Sequence, residues 1–213
     1  MMMWFTLHNI RAAIRTLFLT ACALVTVKPV YAQDTIVVPH PVKAYLNMAG
    51  GINSCNGLGG LQVEYYVQQR LSVIVAGGLG SWGLKFAGGA RFYLKDRLGP
   101  AASLSYSSST GIKQIKISDM EVINQQGVKE VRSVDFLLRP LQTINIGLLQ
   151  VWRLGQEHNR FYIEAGYSIP LQGKSDRNYG LLEPLVITNE AKRNLRMFQP
   201  GGWMLSMGFS FPF

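Results

Sequence analysis

The chain has 213 residues, 48% of them hydrophobic and only 15% charged, which is too apolar for disorder and long enough for one domain. Its net charge of +9 comes from basic residues scattered along the chain, not gathered in a stripe, which excludes a nucleic-acid interface. Two cysteines and three histidines without ligand spacing exclude a metal cluster, and no cofactor motif is present.

At the start, Arg11 and Arg15 precede the apolar stretch Thr16 to Val27, then Lys28, Pro29 and the small-residue exit Val30-Tyr31-Ala32. A basic region, a short apolar run and such an exit form a signal peptide. The run falls short of the ~20 residues that a transmembrane helix needs. Residues 1–32 are therefore the expected signal peptide, with cleavage after Ala32. Leu19-Thr20-Ala21-Cys22 also fits a lipobox, in which Cys22 would be lipidated, and the sequence leaves that alternative open. Residues 33–41 are read as a periplasmic tether. The exported chain then has one cysteine, Cys55, in a Gly/Asn-rich loop, so it can form no internal disulfide.

Eight stretches of period-two alternation follow: 42–51, 60–67, 71–80, 83–94, 99–108, 141–154, 161–171 and 201–213. Most are near the ~9–11 residues that cross a bilayer as a tilted strand. One face is bulky and apolar, as in Leu61, Val63, Tyr65 and Val67, or Phe161, Ile163, Tyr167 and Ile169. The other is small or polar and carries the charges mid-strand, with Glu64, Lys85, Arg91, Arg153 and Glu164 flanked by glycine and serine. A soluble lipocalin-type barrel would need the reverse, with an apolar lumen and a polar exterior. The alternation therefore predicts an all-β, eight-stranded, antiparallel, up-and-down transmembrane barrel over 42–213.

The connections 68–70, 95–98 and 155–160 are short, whereas 109–140 and 174–200 are long. Short turns at one end and long loops at the other fit an outer-membrane barrel with its short end periplasmic. Trp82, Trp152 and Trp203 each lie near a strand end and are expected to face outward as an aromatic girdle. Loop 109–140 carries its own alternation on both sides of Gln125-Gln126-Gly127. It is read as the fifth and sixth strands continuing outward as a hairpin whose edges could pair with a partner strand. A short helix is expected around Glu190 to Met197.

The last stretch, GGWMLSMGFSFPF, places Leu205, Met207, Phe209, Phe211 and Phe213 on one face. By this pattern the chain resembles the small eight-stranded outer-membrane β-barrels of Gram-negative bacteria, of the OmpA-domain and OmpX type. That resemblance implies outer-membrane localisation, contact with outer-membrane lipid, and a monomer. It also implies that this C-terminal row is the signal read by the barrel-assembly machinery. Some barrels of this size modify lipid A and need a His with a Ser near the outer leaflet. Here His40 lies in the tether and His158 in a short turn, so neither is placed for that work. Glu64, Lys85, Arg91, Arg153 and Glu164 read as a structural charge network inside a filled lumen. The function expected is non-enzymatic, a structural or surface-interaction role through 109–140 and 174–200 with an unidentified extracellular partner. A narrow pore or a small-molecule or lipid conduit is the alternative, and a lipid-A-modifying enzyme a lesser one.

Overall fold

The computed structural model describes residues 42–95, 97–123, 127–155, 158–183 and 185–213. The expected signal peptide 1–32 with Cys22, the tether 33–41 with His40, and Gln125 and Gln126 lie outside the described residues.

Each alternating stretch is a strand, because branched and aromatic residues at every second position suit a pleated surface with two different environments. In chain order the first are β1 (Ala44–Ile52), β2 (Gly59–Tyr66), β3 (Leu71–Gly80), β4 (Gly83–Tyr93) and β5 (Gly99–Ser109). After an excursion come β6 (Ile112–Ile123), β7 (Lys129–Leu138), β8 (Leu141–Leu154) and β9 (Asn159–Pro170). A second excursion holds β10 (Tyr179–Leu181), β11 (Val186–Ile187) and the helix α1 (Asn189–Phe198), before β12 (Gly202–Pro212).

Eight of these strands close into an antiparallel barrel in the order β1-β12-β9-β8-β5-β4-β3-β2. Every barrel strand pairs with the next barrel strand in sequence, which is up-and-down connectivity. Closure comes from β1, whose Tyr45 lies opposite Glu64 of β2 on one side and Pro212 of β12 on the other. The backbone N–H of Phe213 donates to the Ala44 carbonyl at 3.2 Å, so pairing runs past Pro212, which itself has no N–H to give. A closed ladder leaves no barrel edge unpaired.

Side chains divide as the alternation requires. Met48, Val63, Val75, Phe86, Leu104, Leu148 and Met207 point outward and are exposed, while Asn47, Gln62, Ser72, Ser107, Asn145, Ser168 and Ser206 point inward and are buried. The barrel is thus inverted relative to a soluble protein: apolar outside, polar inside.

The excursion 110–140 differs from the expected outward continuation of barrel strands. The ladder stops at Ser109 and resumes at Leu141. Gly111 takes a positive φ of 74° there, where an added Cβ would stand 2.2 Å from the Leu138 carbonyl oxygen. Beyond this break β6 and β7 form a separate four-stranded sheet in the order β10-β7-β6-β11. Its edges are partly occupied from within the chain: β10 pairs with Phe136 to Leu138, and β11 with Val122 and Ile123. The hairpin is therefore not the open pairing template that its alternation suggested. Loop 174–200 supplies the strands that cover it.

One face of that sheet buries Met120, Val122, Val134, Phe136 and Leu138 against Ala191 and Leu195 of α1, together with Tyr179 and Ile187. Thr188 starts α1 where the sequence expected a helix, its hydroxyl accepting from the Ala191 N–H at 3.3 Å. Trp82 and Leu141 from the barrel rim join the same core, so this cap and the barrel end share one packed interior.

Candidate functional site

The strand register brings inward residues of several strands to one level of the lumen. Arg91 stands opposite Ser72 of β3 and Ser103 of β5, and Glu164 opposite Ser206 of β12. Arg91 bridges both carboxylates, with Nη1 3.4 Å from Glu64 Oε2 and Nη2 3.2 Å from Glu164 Oε2. A second cation, Arg160, places Nη2 3.1 Å from Glu64 Oε2. The other oxygen of Glu64 accepts from Ser72 Oγ at 2.6 Å and from Tyr93 Oη at 2.5 Å. Ser103 Oγ donates to Glu164 Oε1 at 2.5 Å.

Aromatic rings complete the shell. The Arg91 guanidinium lies 4.8 Å from the Tyr162 ring centre, and that of Arg160 lies 3.4 Å from the Tyr45 ring centre. Gln62 adds to it when its amide oxygen is turned to Arg91, the orientation that satisfies both ends, accepting from Nη1 at 3.0 Å and from Asn47 Nδ2 at 3.0 Å. Gly147 makes room: a Cβ there would meet Ser103 Oγ at 2.8 Å and Glu164 Oε1 at 3.0 Å. Buried charges persist only when paired and hydrogen-bonded, and this cluster meets both conditions for Glu64, Arg91, Arg160 and Glu164.

Nearer the long-loop end the lumen is filled by hydroxyls and one amide. Asn145 Nδ2 donates to Ser105 Oγ at 3.1 Å and to Ser107 Oγ at 3.2 Å, and the Ser107 and Thr143 hydroxyls bond at 2.7 Å. Above them the β1–β2 loop folds inward, burying Ser54, Cys55 and Asn56. Cys55 packs on Ala76 and Ala87, and burial pushes its thiol up to about 12.

Several expected site residues lie elsewhere. Arg153 is exposed and takes no part in the network. It shares the inward parity of Leu149 and Val151, but it stands one residue from the end of β8, where the side chain reaches solvent, while its ladder partner Arg160 is buried and joins Glu64. Arg160 lies just before the apolar alternation that opens at Phe161, so period two gives it no signal of its own. Lys85 is inward and 3% exposed, but its only hydrogen bond among the described residues goes to the Asn53 carbonyl, at 3.4 Å, and it reaches neither carboxylate. Trp82 does not face outward. It is 2% exposed in the turn between β3 and β4, where its indole donates to the Arg139 carbonyl at 2.8 Å beneath the cap. Trp152 is half-buried and stacks on Phe161 at 5.8 Å, and Trp203 is 75% exposed beside Tyr167. Leu205, Met207, Phe209, Phe211 and Phe213 all point outward.

The cap has its own polar clamp. Arg196 of α1 holds Asp176 with two bonds, 3.1 and 3.2 Å, and Tyr179 Oη donates to the same carboxylate at 2.8 Å. These donors keep the Asp176 carboxyl below its usual range, while burial and then the Asp176 carboxylate beside it push the Tyr179 phenol up. No group of three His, Cys, Asp or Glu among the described residues could hold a metal ion.

No protein-family model matches the sequence, and no curated relative matches it. A solved structure similar to this chain is the N-terminal β-barrel domain of OprF from Pseudomonas aeruginosa, at 14% identity and a TM-score of 0.39, covering 81% of this chain and 98% of that one. The fold rests on the strand register itself: residues 42–213 are an eight-stranded, closed, antiparallel, up-and-down barrel with a charged interior and a folded cap at one end.

Proposed function

We propose that this protein is a non-enzymatic outer-membrane barrel of a Gram-negative bacterium, exported by residues 1–32, whose cap works at the cell surface. The observation that carries the reading is the inverted barrel. A ring of exposed Leu, Val, Ile, Phe and Met encircles strands whose inward residues are charged or hydroxylated. In water that exterior would be an aggregation surface, whereas in a bilayer it is the lipid-facing band that a closed barrel requires.

In this orientation the short turns 67–70, 94–98 and 155–158 are periplasmic and the cap is extracellular. His158 then sits on the periplasmic side, away from an outer-leaflet substrate. The lipid-facing row Leu205, Met207, Phe209, Phe211 and Phe213 is read as the feature that the barrel-assembly machinery recognises. Trp152 and Trp203 are the girdle residues. The cap is the surface offered to an extracellular partner, and the barrel works as a monomer embedded in outer-membrane lipid.

The network of Glu64, Arg91, Arg160 and Glu164 favours a closed plug over a conduit, since ion pairs and hydroxyls fill the bore at successive levels. Membrane fractionation with heat-modifiable gel mobility tests the proposal. Outer-membrane recovery and a band that shifts on boiling are expected. Recovery in the soluble periplasmic fraction would overturn it.

A further inference from the structure

The lumen holds more positive charge than negative. Arg91 and Arg160 share Glu64 and Glu164, and Lys85 stands outside that balance with no carboxylate in ion-pair reach among the described residues. The gap is set by the strand. Six residues separate Lys85 from Arg91 along β4, about 20 Å of extended chain. The neighbouring Cys55 does not supply the missing charge, because burial holds its thiol neutral. Lys85 is nonetheless 3% exposed, and a buried ammonium without a counter-charge is costly.

Its surroundings supply donors. The Lys85 ammonium has three N–H groups, of which one reaches the Asn53 carbonyl. Directly across the ladder lies Ser109, also inward and buried, whose hydroxyl makes no hydrogen bond to the described residues. Both residues line a cavity of ≈ 20 Å³ bounded by Gly51, Gly57, Trp82 and Pro200. That is room for one species the size of a water molecule or a halide. The Trp82 indole is already committed to Arg139. Asn53 and Ser81 also line it, but the Asn53 amide is committed to Gly201 and Trp203 and the Ser81 hydroxyl to the Phe198 carbonyl, and no carboxylate lines it.

We infer that this cavity is a binding site for one small monovalent anion of halide size, held by the Lys85 ammonium and the Ser109 hydroxyl beneath the β1–β2 loop. The anion neutralises the excess lumen charge at the mouth of the barrel and ties β4 and β5 to the loop that plugs it. The inference rests on the lumen geometry and holds whether or not the barrel resides in an outer membrane.

The test uses the full exported chain refolded in detergent, with sodium bromide exchanged for sodium gluconate at constant ionic strength. A higher unfolding temperature in bromide is expected for the wild type, with that difference lost in Lys85→Met and reduced in Ser109→Ala. Crystals grown in bromide should show an anomalous peak beside Lys85 Nζ, a readout that needs no variant to fold. Equal unfolding temperatures in the two salts together with a water at that position would overturn the inference. So would a bromide effect that survives in Lys85→Met.

Discussion

Glu64 gathers two guanidinium groups, a serine and a tyrosine on one carboxylate. Removing it leaves Arg160 with the Tyr66 hydroxyl, the Arg97 carbonyl and its rings but no counter-ion, and Arg91 with Glu164 as its one carboxylate. Loss of one member of a buried pair costs about 3–5 kcal/mol, because the remaining charge stays desolvated. Glu64→Ala should therefore lower stability by that order in denaturant unfolding from lipid. Glu64→Gln should lose less, since Ser72 and Tyr93 keep an acceptor. Equal stability of Glu64→Ala and wild type would mean that water reaches this level of the bore. Cys55 offers a second check at this scale. Its buried thiol, held at about 12, should resist alkylation at pH 8 in the folded barrel and react fully once the barrel is denatured. Rapid labelling of the folded protein would show that the β1–β2 loop swings out of the mouth.

Among the elements, α1 and the cap sheet depend on each other, since neither buries an apolar face alone. The Asp176–Arg196 clamp fastens them and gives the cap a pH dependence of definite sign. The Asp176 carboxyl is held below its usual value, first by Arg196 and then by Tyr179. Its contribution is thus fully present above the unfolded value of about 3.9 and is lost as the pH falls through the lower folded value. Hydrogen exchange in α1 should accelerate in that acid window, and Asp176→Asn should give the faster exchange already at neutral pH. An α1 exchange rate indifferent to both would remove the clamp from the account. At the other end of the barrel, β12 closes the ladder and carries the outward aromatic row. Phe213→Ala forfeits roughly 1.5–3 kcal/mol of burial, too little to unfold a closed barrel. If the row is what the assembly machinery reads, the variant should insert poorly in cells yet refold normally into detergent. Wild-type levels in the outer membrane would leave the row with a purely lipid-facing role.

For the molecule as a whole, the filled bore decides between a plug and a passage. Ion pairs occupy the level of Arg91, hydroxyls and an amide the level of Asn145, and the β1–β2 loop the mouth. Planar-bilayer recordings of the full exported chain should show no steady open level. Sustained conductance of one unit size would favour the conduit reading.

The barrel was legible in the amino-acid sequence because a strand reports its two surroundings at every second residue. Alternation alone located all eight spans to within a few residues, assigned Glu64, Lys85, Arg91 and Glu164 to the inward face, and marked the outward row from Leu205 to Phe213. Alternation carries no information on which inward residues share a level, however. That depends on register between strands distant in sequence, and so the pairing of Arg91 with both carboxylates and the isolation of Lys85 came only from the closed ladder. It also fails at strand ends, where Arg153 keeps the inward parity yet reaches solvent while its ladder partner Arg160 is buried, and where a tryptophan can turn inward beneath a loop, as Trp82 does. The cap shows the same limit at larger scale. β6 and β7 alternate like membrane strands, but only their packing against α1, β10 and β11, supplied by a loop some fifty residues further along, decided that they leave the barrel and fold as a separate sheet upon it.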